Sequence, residues 1–526
     1  MIFQEVMKKE KRVKEKIKKT AKGKRNEVLL DDSSSKFCLF TDTLGEAQKR
    51  MLSSFLDDVN RHLALPKHDT GLMIGDFRNA ICYLSSQGVP FEDILTRLSP
   101  VNLGGFYARP PVLWFSLDDA AKIYPLSMKQ GQMAVFRLSV YLDALVMPEV
   151  LQLALDFTIK RFPSFATTLK KGVFWHYLDT SKRRYQVEQE SSIPCRPLPV
   201  YRSGSQSFRV ICYLNKISVE FFHVLTDGNG GLVFIKTLVG EYLRIMGENF
   251  AYEDGVLDVN QTPDSKELMN CFHRTDAKVT ESSFFDRSAV QLSGKLSKYR
   301  PYRVLHIMMN ASDLKQKATS LSCTVTAYVL ALMFLAGKYA TDDIDGISCI
   351  QVPVNMRKFY SSVTVRNFAM YCGIRIKLSD ITDLPSTVSL VSQQLEKRSS
   401  RSMMDMMMNE TGRLVNMLRF VPLAIKSPVA KVLYGFAGDS AFSNTLSNLG
   451  VVHLPQELQR HVKSMDFVLG TALTNRASCA LVTVGNIATL SISKMTSDPS
   501  FEEKLCEMLR EQGIEISVEG SSESWR

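Results

Sequence analysis

The chain has ten cysteines and no Cys-x-x-Cys pair: Cys38, Cys82, Cys195, Cys212, Cys271, Cys323, Cys349, Cys372, Cys479 and Cys506 lie scattered along it. This spacing argues against both a zinc ribbon and a disulfide framework. Long apolar runs are missing as well. The longest apolar helix candidate, Ala327 to Ala336, has about half the length needed to span a bilayer. No secretory leader is expected, because the stretch from Met1 to Met7 is short and the run after it is basic. Hydrophobic residues at 45% and charged residues at 23% are not the proportions of a disordered chain. A cytoplasmic protein is the default expectation.

Acidic residues are the minority, and the formal charge is +11. Most of that excess sits in one run from Lys8 to Arg25, without which the chain is nearly neutral. A block of like charge reads first as a solvated tail, so no specific nucleic-acid partner is expected. Loose attraction of this tail to an anionic membrane surface is the alternative use.

At 526 residues the chain exceeds one ordinary domain. Residues 1–36 read as the basic tail and linker, and residues 37–111 as a small helical domain. In that domain Phe55, Val59 and Leu63 share one stripe, a second helix is expected over Gly75 to Gln87 and a third over Pro90 to Leu98. It reads as a docking or lid module. The turn clusters Gly104-Gly105 and Pro110-Pro111 mark a boundary. Beyond it, strand and helix patterns alternate in two mixed lobes, 112–300 and 301–526, with the segment 252–300 crossing between them.

The stretch from Phe208 to His223 reads as a hairpin turning at Asn215-Lys216. Alternation puts Ile217, Val219, Phe221 and His223 on one face and Ser218, Glu220 and Phe222 on the other. The strand then runs into Thr226-Asp227-Gly228-Asn229-Gly230-Gly231 and a helix. Imidazole is the side chain whose ordinary pKa lies nearest neutrality, and an apolar strand face keeps it neutral and able to accept a proton. Asp227 would cap the helix or turn back to orient the ring. The plain alternative is a core histidine followed by an ordinary glycine-rich turn.

His223-x-x-x-Asp227-Gly228 after a strand resembles the active-site motif shared by chloramphenicol acetyltransferase, condensation domains and alcohol acetyltransferases. The wider chain is similar to the bacterial alcohol acetyltransferase branch through Trp114 to Pro125, Val135 to Ser139, Arg161 to Phe165, Phe174 to Tyr177 and Pro353 to Arg357. Ser447 to Gly450 and Asp466 to Gly470 continue the likeness. The resemblance covers roughly residues 112–517. It implies an α/β fold of two chloramphenicol-acetyltransferase-like sandwich lobes with a tunnel between them, preceded by the helical unit. Many relatives carry a second His just before the catalytic one; here that place is Phe222, which makes a peptide-forming condensation domain a poorer fit.

The activity implied is direct transfer of a short acyl group, acetyl being expected, from acyl-CoA to a small alcohol-type acceptor. His223 would be the general base, and Asp227 and Gly228 the rest of the motif. Ser447 and Asn448, read as a glycine-bounded turn, are the oxyanion or CoA-side candidates, although Ser-Asn is also plain turn chemistry. Asp227 in such enzymes is structural, pairing with an arginine. Arg137 on the first strand of the lobe fits that place better than Arg209, and Arg357 at a strand end is the other supporting arginine. The Met403 to Met408 cluster reads as helix core, with a flexible tunnel lining as its alternative. The remaining histidines lack ligand spacing, so neither a metal nor a permanently bound cofactor is expected. A single chain suffices for both lobes. Two competing readings stay open: a non-catalytic scaffold, gaining weight if a side chain plugs the site beside His223, and condensation on a carrier-bound thioester.

Overall fold

The computed structural model describes residues 35–63, 65–99, 114–128, 133–180, 183–200, 205–272, 288–297, 303–433, 441–470 and 476–520. The whole basic run from Lys8 to Arg25 and the turn clusters expected to mark a boundary, 104–105 and 110–111, lie outside them.

Four helices come first: one ending at residue 42, then α1 (Glu46–His62), α2 (Lys67–Ser86) and α3 (Phe91–Arg97). Helix α2 begins eight residues before the expected Gly75, which lies inside it with open space around its missing Cβ. A glycine facing space costs a helix about 1 kcal/mol and does not stop it. Met73, Phe77, Ala80, Ile81 and Leu84 form the buried stripe of α2. It packs on α4 (Pro148–Arg161), with the Phe77 and Phe157 rings 5.9 Å apart. Asp76 pairs with Arg184, at 2.7 Å to Nη2, and Arg97 Nη1 donates to the Ile245 carbonyl at 3.2 Å. The helical unit therefore shares one continuous core with the first lobe.

The first lobe's sheet runs β12-β2-β7-β6-β5: β2 (Val135–Leu142), β5 (Val187–Gln189), β6 (Phe208–Tyr213), β7 (Lys216–Phe222) and β12 (Val462–Leu469). The β6–β7 turn is Leu214-Asn215, one residue earlier than expected, with Tyr213 paired to Lys216. Helix α5 (Gly228–Met246) follows β7 and packs on α4. A small sheet β1-β4-β3 joins Trp114–Ser116, His176–Thr180 and Thr167–Lys171.

The second lobe is built on a seven-stranded sheet, β10-β9-β11-β13-β14-β8-β15. Its strands are β8 (Arg303–Asn310), β9 (Ile347–Asn355), β10 (Ala369–Lys377), β11 (Asn444–Val452), β13 (Ala477–Val484), β14 (Ile487–Lys494) and β15 (Ile516–Gly520). Helices α6 (Ala311–Ser320) and α7 (Val325–Tyr339) lead from β8 to β9, and Thr324 caps α7 by accepting from Ala327 N at 3.1 Å. Helices α8 (Leu384–Arg398), α9 (Arg401–Met417) and α10 (Leu423–Leu433) join β10 to β11. Met404, Met407 and Met408 of α9 are buried in the second core. No single described helix is long and apolar enough to cross a membrane.

The lobes interlock. Strand β12 comes from the second half of the chain yet pairs with β2 in the first lobe's sheet, Asp466 opposite Ser139 and Phe467 opposite Leu138. In the crossing segment, Glu267 accepts from Arg161 Nη2 at 2.7 Å, and its carbonyl receives Val365 N at 2.9 Å.

Candidate active site

His223 comes directly after the last residue of β7. Its backbone N–H donates to the Ala134 carbonyl at 2.8 Å, which extends the strand pairing to the histidine itself. The imidazole lies between two aromatic rings. Tyr124 stacks on it at 4.7 Å with the planes 24° apart, and Phe136 meets it edge-on at 5.1 Å.

Its polar partner is Asn367, from the segment leading into β10. Asn367 Nδ2 donates to the His223 carbonyl at 2.9 Å, and Oδ1 sits 3.0 Å from Nδ1 of the ring. The first bond fixes which end of the amide carries oxygen. Nδ1 must therefore carry the hydrogen, and the ring lone pair resides on Nε2. Among the described residues Nε2 has no hydrogen-bond partner. Burial pulls the His223 pKa below its ordinary value, with Asn367 and Asp227 partly opposing the shift, so the ring is neutral at physiological pH.

Asp227 does not orient the ring. It caps α5, accepting from Gly230 N at 3.0 Å. Its other oxygen takes Arg357 Nη1 at 2.8 Å and Phe368 N at 2.7 Å. Burial alone would raise this carboxyl, but Arg357 and the two backbone donors hold it below the usual carboxylate range. Arg357 in turn donates to the carbonyls of Thr364 and Arg366 at 2.8 and 2.7 Å. Thr226 Oγ1 donates to Val365 O at 2.6 Å. The segment 364–368 of the second lobe is thereby clamped against the motif of the first, and Asn367 is delivered by that clamp. Gly230 permits the approach, since a Cβ there would stand 2.1 Å from the Val365 carbonyl oxygen.

The expected pairing of Asp227 with Arg137 is corrected by this network. Arg137 is opposite Glu220 in the β2–β7 register, and Arg209 is opposite Glu220 across β6–β7, so all three share a face. That face is the one turned away from His223. Arg137 Nη1 bonds Glu190 at 2.6 Å and lies 3.5 Å from Glu220, supporting the sheet rather than the motif.

Ser447 and Asn448 are also corrected: they lie inside strand β11, not in a turn. Asn448 points to α7, donating to Thr326 Oγ1 at 3.0 Å and accepting from Gly450 N at 2.7 Å. It holds the bulge that shifts register between Asn448 and Val451, where Gly450 has φ +74°. Its side chain is thus committed to structure. Ser447 and Leu449 are on the opposite face, and Leu449 reaches the motif, with its Cδ2 2.8 Å from where a Cβ on Gly228 would be. Ser447 is on the strand face opposite Asn448.

Three further residues belong to the site and were not singled out from the sequence: Asn367, and Tyr124 and Asp118 within the Trp114 to Pro125 stretch. Asn367 is 144 residues from His223, and no spacing rule links them. Asp118 is fully buried, 3.1 Å from Arg366 Nη2, and burial raises its pKa to about 7 against the opposing pull of Arg366. Arg366 Nη1 also donates to the Leu268 carbonyl at 3.1 Å, joining β1, the crossing segment and the clamp.

No protein-family model matches the chain, and no curated protein does. Solved structures do match. Trichothecene 15-O-acetyltransferase TRI3 from Fusarium sporotrichioides is 13% identical with a TM-score of 0.50, over 77% of this chain and 98% of its own. F. sporotrichioides TRI101, solved with coenzyme A and T-2, is 11% identical with a TM-score of 0.51, over 77% of this chain and 100% of its own. The first condensation domain of the calcium-dependent antibiotic synthetase, solved with a substrate analogue, is 12% identical with a TM-score of 0.51, over 77% of this chain and 96% of its own. The chain shares the two-lobed fold of these acetyltransferases and of the condensation domain.

Proposed function

We propose that this chain is an acyl-CoA-dependent O-acyltransferase in which His223 is the general base. Its Nε2 takes the proton of an acceptor hydroxyl while the oxygen attacks the thioester carbonyl of acyl-CoA. Collapse of the tetrahedral intermediate breaks the C–S bond, and the thiolate leaves with the proton returned from His223. No covalent acyl-enzyme is needed. Ser447, on the strand face opposite Asn448, is the candidate donor to the oxyanion. Asp227, Gly228 and Arg357 keep the loop in place.

The carrying observation is the fixed tautomer: Asn367 holds Nδ1–H at 3.0 Å and leaves Nε2 as the basic nitrogen. Stacking by Tyr124 covers a face of the ring, whereas the Nε2 lone pair lies in the ring plane and points from its edge. Tyr124 is thus no plug against proton transfer, which favours catalysis over an inert scaffold. TRI3 is an O-acetyltransferase and TRI101 binds coenzyme A together with T-2, which supports an alcohol-type acceptor and coenzyme A as carrier of the acyl group here. The test is thiol release from acetyl-CoA across a panel of alcohols and amines. Alcohol-dependent release supports the reading, and release only with a carrier-bound thioester replaces it with condensation.

A further inference from the structure

The most exposed large apolar side chains of the described residues include a cluster drawn from both lobes. Val173 and Phe174 form the tip between β3 (Thr167–Lys171) and β4 (His176–Thr180). Met417, Phe420 and Ile425 come from the α9–α10 junction. Val173 is 71% exposed, Met417 72% and Phe420 74%, values that rule out a role in either core. They form one patch: the Phe174 and Phe420 rings are 6.3 Å apart, and Leu423 N donates to the Val173 carbonyl at 2.8 Å. Single exposed apolar residues need no explanation, but a joined group of five does.

The charges on the two segments that carry the patch have one sign, while the neighbouring Lys122, 5.6 Å from the Trp175 ring centre, is paired with Asp119 at 2.6 Å. Residues 170–176 and 411–428 contain Lys170, Lys171, Arg413, Arg419 and Lys426 and no Asp or Glu. Arg419 lies over Phe420 with its guanidinium carbon 5.3 Å from the ring centre, and Lys426 Nζ is 3.3 Å from the centre of Trp175. A cavity of about 760 Å³ opens beside the patch, with Val173, Leu423, Ala424 and Pro428 in its wall. Its wall also includes Pro125, next in sequence to the Tyr124 that stacks on His223.

We infer that this patch docks on an anionic lipid surface. Exposed phenylalanines and aliphatics flanked by the exposed Lys171, Arg413 and Arg419 match the acyl chains and headgroups of such a surface. The docking does not depend on the role of His223. That the cavity then takes an apolar ligand from the bilayer toward the base rests on the proposed function.

The experiment is co-flotation of the full chain with vesicles of phosphatidylcholine, alone or mixed with phosphatidylglycerol. Wild type is expected to float with the mixed vesicles. Phe420→Ser/Ile425→Ser should weaken this by at least about tenfold, the scale of two lost apolar insertions. Val173→Ser/Phe174→Ser, on the other segment, should do the same, while Phe420→Trp keeps binding. All these positions are exposed, and unchanged melting verifies folding. Wild type that stays with the soluble fraction overturns the inference. So does a double variant that floats as well as wild type, because the run from Lys8 to Arg25 would then carry the binding. An apolar-patch-dependent dimer without vesicle binding would overturn it in favour of a protein interface.

Discussion

Asn367 holds His223 at both ends of its residue, donating to the backbone carbonyl at 2.9 Å and meeting Nδ1 at 3.0 Å. The two residues belong to different lobes, so the protonation state of the candidate base is set by how the lobes close. Asn367→Ala should lower kcat roughly tenfold to hundredfold, less than loss of the base itself, with little change in KM. Steady-state kinetics on both variants check the order.

The pH profile is set by the direction of the His223 shift. A lowered pKa keeps the base neutral into mildly acidic solution, so the acid limb of kcat/KM should lie below the ordinary imidazole value of about 6.5. Asn367→Asp places a carboxylate against Nδ1 and favours the imidazolium. Its acid limb should move up by about one to two units. An unmoved limb would mean that Asn367 does not govern the titrating group.

Arg357 and Asp227 form a buried pair 2.8 Å apart. Removing either partner strands a charge and should cost about 3 to 5 kcal/mol. Asp227→Asn/Arg357→Met should cost less than the two single losses added together. A denaturant double-mutant cycle measures the coupling, and strict additivity would contradict the pairing.

Gly230→Ala should destabilise by at least about 3 kcal/mol, since the new methyl meets backbone at 2.1 Å. Gly228→Ala should be milder, because its obstacle is the movable end of Leu449. Thermal melts of the two variants give the comparison.

Asp118 has a folded pKa of about 7, above the ordinary carboxylate value. A raised carboxyl stabilises the fold fully below its unfolded pKa, and that contribution is lost as pH rises through about 7. Asp118→Asn does not titrate. Its stability relative to wild type should therefore improve between pH 4 and 8, by at most roughly 1.4 kcal/mol per unit. Urea melts at the two pH values read the change.

Periodicity made β2, β6, β7, α4 and α7 legible, because each buries a regular face. It could not find β11. That strand's Ser, Asn and Gly read as turn chemistry, and only the neighbouring β9 and β13 make a strand of them. The motif around His223 was legible because its residues are adjacent in sequence. Of its support, only Arg357 was named beforehand, through the resemblance, and it does pair with Asp227. Arg137 lost its assigned place once the register put it opposite Glu220, and Arg357 and Asn367 reach the motif only through lobe closure. The exchange of β12 into the first sheet likewise has no local signal.

Removal of the acceptor's proton by His223 Nε2 is read from alcohol-dependent thiol release from acetyl-CoA by wild type and His223→Ala, with melting temperatures measured on the same preparations. The expected result is a fall of about a hundredfold or more in a variant that melts like wild type. A folded His223→Ala chain that releases thiol as fast as wild type would contradict it.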